Sequence, residues 1–294
     1  MRIVNNNPVV GSRRSTAQLQ SIAAQLVPAR ERAITGIATN RPSDAPGRWG
    51  AIYGLREEHE NQAVYQHNIG RATDVLSVAD DVLGSASNVL QQAWERGIQL
   101  SSESWNTETR TAAASEIREL REELVGLANT RLGDRSLFAG DAWGQAAFDD
   151  AGNYLGSTAT QSAQIGKGND VLVAIDGSEV FQGGVDVFSA LSDLEAALTA
   201  DDPAAVRDLL PTLEDAFQQV VKGRQEVGYR QARVDDTTVV SEGLASMLED
   251  RLYTATAADP AQAYTELANL TTTYEAALQV TAQSSGAKLF DLLR

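Results

Sequence analysis

Two histidines, His59 and His67, stand eight residues apart in a segment that also carries Glu57, Glu58 and Glu60, and metal chemistry is the first possibility they raise. A zinc site needs such side chains to converge, as a His pair four residues apart does on one helix face. Eight residues along a helix, the second ring has turned about 80° away from the first, so no metal site is expected. Gly166-Lys167-Gly168 has the look of a phosphate-cradling loop but lacks the upstream glycine and the Ser or Thr that must follow the lysine. It reads as a surface turn. Asp149, Asp150 and Asn153 offer oxygens of the kind calcium takes, without the alternating ligands and terminal glutamate of a calcium loop. No serine sits in a glycine-flanked elbow, and two histidines on one helix leave a Ser-His-Asp arrangement little to draw on. Cysteine is absent, which removes disulfides, thiolate metal sites and cysteine nucleophiles together. No catalytic residue, metal or cofactor is expected, and the chain reads as a non-enzyme that works through its surfaces.

The elements behind those residues are long helices. Ile69, Ala72, Leu76, Ala79, Leu83, Ala86, Leu90, Ala93, Gly97 and Leu100 alternate three- and four-residue steps without a break, which is a coiled-coil seam. At 1.5 Å per residue that stretch is about 48 Å long. Val75, Val78, Val82 and Val89 form a second stripe beside it, so the helix has more than one neighbour. Asn106 or Thr107 can cap the next helix, whose apolar positions Ala113, Ile117, Leu120, Leu124 and Leu127 continue the spacing toward Gly133, as an antiparallel partner. From Gly133 to about Gly184 the period changes. Val171, Val173 and Ile175 alternate before an Asp176-Gly177 turn, and Asp149 to Asn153 reads as a turn between Phe148 and Tyr154, so short strands and hairpins are expected. Helix returns at Val187 to Leu198, Asp202-Pro203 supplies a cap with a first-turn proline, and Pro211 is expected to restart the helix. Leu213, Phe217, Val220, Val227, Val234, Ala245, Leu248 and Leu252 then share one seam, interrupted by polar Arg224, Gln231, Thr238 and Ser241, which fix its register.

Net charge is −16 over 294 residues. Nucleic acid is a poor partner for such a chain, since phosphates are bound by Lys and Arg clusters and none appears. An anionic membrane surface is disfavoured for the same reason. No stretch approaches the roughly twenty apolar residues that span a bilayer. Asn5-Asn6-Asn7-Pro8 stands where a cleavable signal would need an apolar core, so ordinary signal-directed export is not expected.

Both ends carry apolar stripes at helical spacing: Leu19, Ile22, Leu26, Ile34 and Ile37 at one, and Ala263, Leu267, Leu270, Tyr274, Ala277 and Leu278 at the other, after an Asp259-Pro260 cap. Leu289, Phe290, Leu292 and Leu293 are conspicuously apolar for a chain end and argue for burial against something. Leu19, Ile22, Leu26, Leu267, Leu270, Tyr274, Leu278, Leu289, Leu292 and Leu293 are therefore the candidate assembly interface. The fold class expected is mainly α: an elongated rod of long antiparallel coiled-coil helices from both termini, with a small inserted β-rich module. Pro28 and Ser284-Ser285-Gly286 are expected to kink or soften the terminal helices.

One stretch is not generic. Ile34 to Pro46, with Arg41-Pro42-Ser43-Asp44 and Pro46 at its centre, resembles the linker between the terminal helix and the first large domain in the bacterial flagellin family. Pro42 and Pro46 force extended backbone and Asp44 can cap the helix that follows, so a bent spoke is expected on physical grounds as well. Further matches run collinearly: Asn68-Ile69, Gln99-Leu100, Asn106-Thr107, Leu127 to Thr130, Leu137 to Gly140, Tyr154-Leu155-Gly156, Val227-Gly228, Tyr274 to Leu278 and Lys288 to Leu293. Each is weak and their order is specific. Ala45 departs from the family, which has a second Asp there.

The resemblance implies a structural, self-assembling subunit of the bacterial flagellum, a motility protein secreted through the flagellar type III apparatus without a cleaved signal peptide. The Arg-Pro-Ser-Asp form is closer to the members that stand between hook and filament, at the hook-filament junction, than to filament flagellin. The expected location is extracellular, and the expected partners are copies of itself, a second junction protein on the hook side, flagellin on the filament side and a cytosolic export chaperone. Residues 1–40 and 259–294 would form an inner-tube coiled coil, residues 41–135 and 187–258 a central helical region, and residues 136–186 the β-rich module. A minor filament flagellin would use the same helices. A cytosolic coiled-coil scaffold would explain the seams but not the apolar C-terminus or the ordered motifs.

Overall fold

The computed structural model describes the backbone of residues 8–291 and side chains from 14 to 283. The fold is mainly α with a small β module. Its helices are α1 (Pro8–Thr35), α2 (Trp49–Leu100), α3 (Thr107–Ala128), α4 (Gly177–Gln182), α5 (Val187–Thr199), α6 (Pro203–Thr256) and α7 (Pro260–Asp291). Four short strands, β1 (Arg131–Leu132), β2 (Arg135–Ser136), β3 (Ser162–Gly166) and β4 (Asn169–Leu172), lie between α3 and α4. They pair as two antiparallel hairpins, β1 with β2 and β3 with β4. The chain divides into two compact units: residues 1–60 with 246–294 (unit 1), and residues 61–245 (unit 2).

Unit 2 holds the large core. Every residue of the expected seam from Ile69 to Leu100 is buried. The seam faces α6, which runs antiparallel: Gln62 meets Ser241, Asp80 meets Arg224, and Gly97 meets Leu210. At Gly97 a Cβ would stand 2.9 Å from the Leu210 side chain, so the absent side chain leaves room for the leucines packed there. Of the polar seam positions, Arg224, Thr238 and Ser241 have partners. Arg224 grips Asp80 through Nε and Nη2 at 2.9 and 3.0 Å and holds that carboxyl well below the usual carboxylate range. The Gln62 amide is buried and donates to the carbonyl and hydroxyl of Ser241. A buried amide with a single matching site makes a one-turn slip costly, because the slipped state leaves polar groups unpaired. Gln62→Ala is expected to lower unfolding free energy by about 1–3 kcal/mol through the orphaned serine, read as an unchanged denaturant slope with a lower midpoint.

The β module closes over α2 with an aromatic cluster. Phe148 packs on Phe181 and Phe188 at ring distances of 5.5 and 5.0 Å, and Phe138 meets Phe181 edge-on at 5.4 Å. The backbone must come close here: Gly152 has φ +91°, and a Cβ on it would lie 2.6 Å from that of Phe188. Asp149 closes its expected turn by accepting from the Asn153 and Ala151 amides, while Lys167-Gly168 is the β3–β4 hairpin turn, with Gly168 at φ +72°.

Two local expectations are corrected. Asp176-Gly177 is not a hairpin turn: β4 ends at Leu172, and Asp176 caps the short helix α4 by accepting from the Ser178 amide and hydroxyl. Pro211 does not restart a helix, because α6 runs through it; Pro211 and Arg207 are both exposed, so water can serve the carbonyl that the proline cannot. Pro28 lies inside α1, exposed, and Ser284-Ser285-Gly286 lie inside α7.

Candidate assembly surface

Unit 1 is built on α1 and α7. They run antiparallel: Arg32 reaches Glu266 with two guanidinium bonds of 2.9 and 3.1 Å, and Ile37 bridges Ala257. The chain leaves α1 through Gly36, at φ +70°, whose carbonyl accepts from the Ala258 amide at 2.7 Å. Ala38 and Thr39 donate back to Thr256. These bonds tie the start of the linker to the end of α6.

The linker Arg41-Pro42-Ser43-Asp44-Ala45-Pro46 is a turn in its own right. Asp44 does not cap the following helix. Its Oδ2 accepts from the amides of Arg41 and Asn40 at 2.8 and 3.0 Å, so the carboxylate folds the loop back on itself, and those bonds hold its pKa below the usual value. The first turn of α2 is opened instead by the Ala45 carbonyl, which accepts from Arg48 and Trp49. Because a main-chain carbonyl does this work, an alanine at 45 is sufficient. Arg41, Pro42, Ser43, Asp44 and Pro46 are all exposed.

Among the described residues, the buried apolar side chains of unit 1 are Ala29, Ala33, Ile52, Leu248 and Ala263, three of them alanine. Leu19, Ile22, Leu26, Leu267, Leu270 and Tyr274 are half-buried, Leu278 is exposed, and Leu289, Leu292 and Leu293 lie outside the described side chains. The larger exposure is elsewhere: Ile34 is 71% and Tyr253 70% exposed, and Val27, Tyr53, Tyr264 and Val280 are similarly bare. Sequence reasoning placed Ile34 on the terminal stripe and missed the other five. Periodicity finds a stripe that packs, and an apolar residue off that stripe is indistinguishable from ordinary surface. A unit with an alanine-rich interior and several bare large side chains has more apolar surface to cover than it covers itself.

Among the described residues no three His, Cys, Asp or Glu side chains gather as metal ligands, and no helix is long and apolar enough to cross a membrane.

Residues 4–142 match the family model of the bacterial flagellin N-terminal helical region. Flagellar hook-associated protein 3 of Escherichia coli is 27% identical over 153 residues, which is 51% of this chain and 48% of that protein. The chain thus spans about half the length of the hook-associated relative it matches. A flagellin of Listeria monocytogenes is 23% identical over 229 residues, 76% of this chain and 77% of that one. In fold, the chain is similar to a putative flagellar hook-associated protein from Vibrio parahaemolyticus, with a TM-score of 0.66 at 20% identity, over 72% of this chain and 99% of that one. The motif order around the linker, the paired terminal helices and these relatives agree: over residues 4–142 the chain is similar to the N-terminal helical region of bacterial flagellins.

Proposed function

We propose that this chain is a structural, non-catalytic subunit of the bacterial flagellum, an adaptor assembled at the hook-filament junction after export without a cleaved signal peptide. The observation that carries this reading is the bare apolar surface of unit 1 around an alanine-rich interior. Copies of the same chain, stacked so that α1 and α7 of one cover those of the next, would remove that surface from water. The stripe from Leu19 to Leu26 with Leu267, Leu270, Tyr274, Leu278, Leu289, Leu292 and Leu293 forms the buried side of this contact, and Arg41 to Pro46 acts as the spoke. Residues 1–40 and 259–294 serve as the inner coiled coil, residues 41–135 and 187–258 as the helical body, and residues 136–186 as its β module. The neighbours are a second junction protein toward the hook and flagellin toward the filament, and before export a cytosolic chaperone covers the segment from Asp259 to Leu293.

A minor filament flagellin is the second reading, favoured by the longer match to the Listeria flagellin. Tagging the chain in intact flagella separates the two: one band beside the hook is expected, and label along the whole filament would assign it to the filament instead. A strain lacking the chain is expected to release flagellin into the medium without retaining filaments. Normal filaments in that strain would rule out the junction role.

A further inference from the structure

Unit 1 carries equal numbers of basic and acidic residues, but they are kept apart along the chain. Residues 1–56 hold eight arginines against Glu31 and Asp44, and the rest of the unit holds nine acidic residues against Arg251, Lys288 and Arg294. Both acids of the basic segment are already occupied: Glu31 accepts from Asn40 and pairs with Arg41, and Asp44 closes the linker turn. Arg30, by contrast, is exposed and makes no ion pair or side-chain hydrogen bond among the described residues. It stands between Val27 and Ile34, which lie two turns apart on the face of α1 turned away from the buried Ala29 and Ala33, and are 67% and 71% exposed.

The same unit holds a groove of matching size. The start of α2 and the end of α6 lie side by side and leave between them an open, mostly apolar trough of about 800 Å³. Its lining is small at Ala51, Gly54, Thr254 and Ala255. A Cβ placed on Gly54 would meet nothing within 4 Å, so the α2 backbone is open to a neighbour there. From Arg48 to Glu58 the trough follows ten helical steps, about 15 Å, and the α1 face from Ala24 to Ile34 is equally long. Arg48 stands at one end. Toward the other, Arg251 is the one base among Glu57, Glu58, Glu249 and Asp250, and these four acids have no ion-pair partner among the described residues.

We propose that the bare face of α1 from one copy seats in the α2–α6 trough of the next, with Val27 and Ile34 against its small-residue lining and Arg30 against Glu58 and Asp250. The contact rests on the reading of this chain as a self-assembling subunit and adds which faces meet. Charge selects α1 as the occupant. In a second copy α7 also has bare apolar side chains, Tyr264 and Val280, but its described side chains include Glu266 and Glu275 and no base, so it would set carboxylates against Glu58 and Asp250. Unit 2 carries the whole net charge of −16 and is repelled in the same way. Two different faces meet, so every copy in contact still has one face or one trough to offer. The contact is heterologous and repeats from copy to copy instead of closing a pair.

The chain has no cysteine, so a pair of introduced thiols reads this contact alone. Val27→Cys with Thr254→Cys in the full chain, both at exposed positions, is expected to give a ladder of disulfide-linked multimers when purified, sedimented assemblies are oxidised. Val27→Cys with Tyr229→Cys, also exposed, is the control and should give none. Gly54→Leu fills the trough at a point where the single chain has room, so its melting temperature should not fall while the critical concentration for assembly rises. Arg30→Glu should raise that concentration about 30-fold or more, and Glu58→Arg with Asp250→Arg in the same chain should restore it. Bands that stop at the dimer, a ladder equal to that of the control, or assembly indifferent to Gly54→Leu and Arg30→Glu would each overturn the contact. A ladder from a chain that is found outside flagella overturns the junction role alone, assembly at the junction with no ladder overturns the contact alone, and a chain that never sediments overturns both.

Discussion

Leu90→Asp is expected to leave unit 2 without a cooperative unfolding transition at 25 °C. Leu90 is fully buried in the middle of the α2 seam, between Ala86 and Ala93 and within the single core cluster that joins α2, α3, α5, α6 and the aromatic residues of the β module. Truncation alone, as in Leu90→Ala, removes packing worth about 2–5 kcal/mol. An unpaired carboxylate at the same place adds several kcal/mol more, and the nearby Arg96 and Arg224 are already engaged with Glu116 and Asp80. The sum is comparable with the whole stability of an ordinary domain, about 5–15 kcal/mol. Far-ultraviolet circular dichroism should show helix lost without a sharp melt in Leu90→Asp, and a lowered but sharp melt in Leu90→Ala. A sharp melt within a few degrees of the parent in the aspartate variant would mean that this seam is not the core.

The seam was legible because it is a local signal. Three- and four-residue steps report one face of one helix, and every position they named from Ile69 to Leu100 is buried. The caps at Asn106, Asp202 and Asp259 were legible for the same reason, since each acts on amides two or three residues away. The errors fall where two local outcomes share one sequence. Asp176-Gly177 suits a hairpin or a helix cap, and it is tertiary packing that selects the cap: a Cβ at Gly177 would stand 2.6 Å from the Phe138 carbonyl, so the aromatic cluster places that backbone. Asp44 suits a helix cap or a self-closing loop, and the turn over residues 41–44 brings its carboxylate back to the Asn40 and Arg41 amides. Pro211 interrupts a helix only if its orphaned carbonyl has no substitute partner, and exposure supplies water.

The candidate surfaces were harder to see. Half-burial of Leu19 or Leu270 follows from the pairing of α1 with α7, so a stripe read as an interface between copies is partly an interface within one chain. The bare residues Val27, Tyr53, Tyr253, Tyr264 and Val280 carry no periodic mark. Nor do the contacts of Arg110 and Thr107 with Asp201, which join residues about ninety positions apart. Long-range pairs of this kind leave no trace in spacing. The linker shows the opposite case, in which a resemblance located the segment and only the coordinates gave the function of its aspartate.

Ile34→Asp is expected to leave the isolated chain as stable as the parent and to abolish assembly. Ile34 is 71% exposed in the last turns of α1, so replacing it removes almost no burial from the single chain, and a change within about 0.5 kcal/mol is expected. In an assembled array the same side chain would be covered. Burying an isoleucine contributes about 1.5–3 kcal/mol, and a carboxylate trapped in its place costs several more, at a contact that recurs in every copy. Leu270→Asp is the informative contrast: Leu270 is already half-buried, so that change should lower both the melting temperature of the monomer and its assembly. Circular dichroism on the purified chains gives the first quantity. Sedimentation of assembled material, with filament retention in a complemented strain, gives the second. If Ile34→Asp assembles and supports filaments as the parent does, the bare face of α1 is ordinary surface and the copies must meet through the half-buried stripe or through other residues.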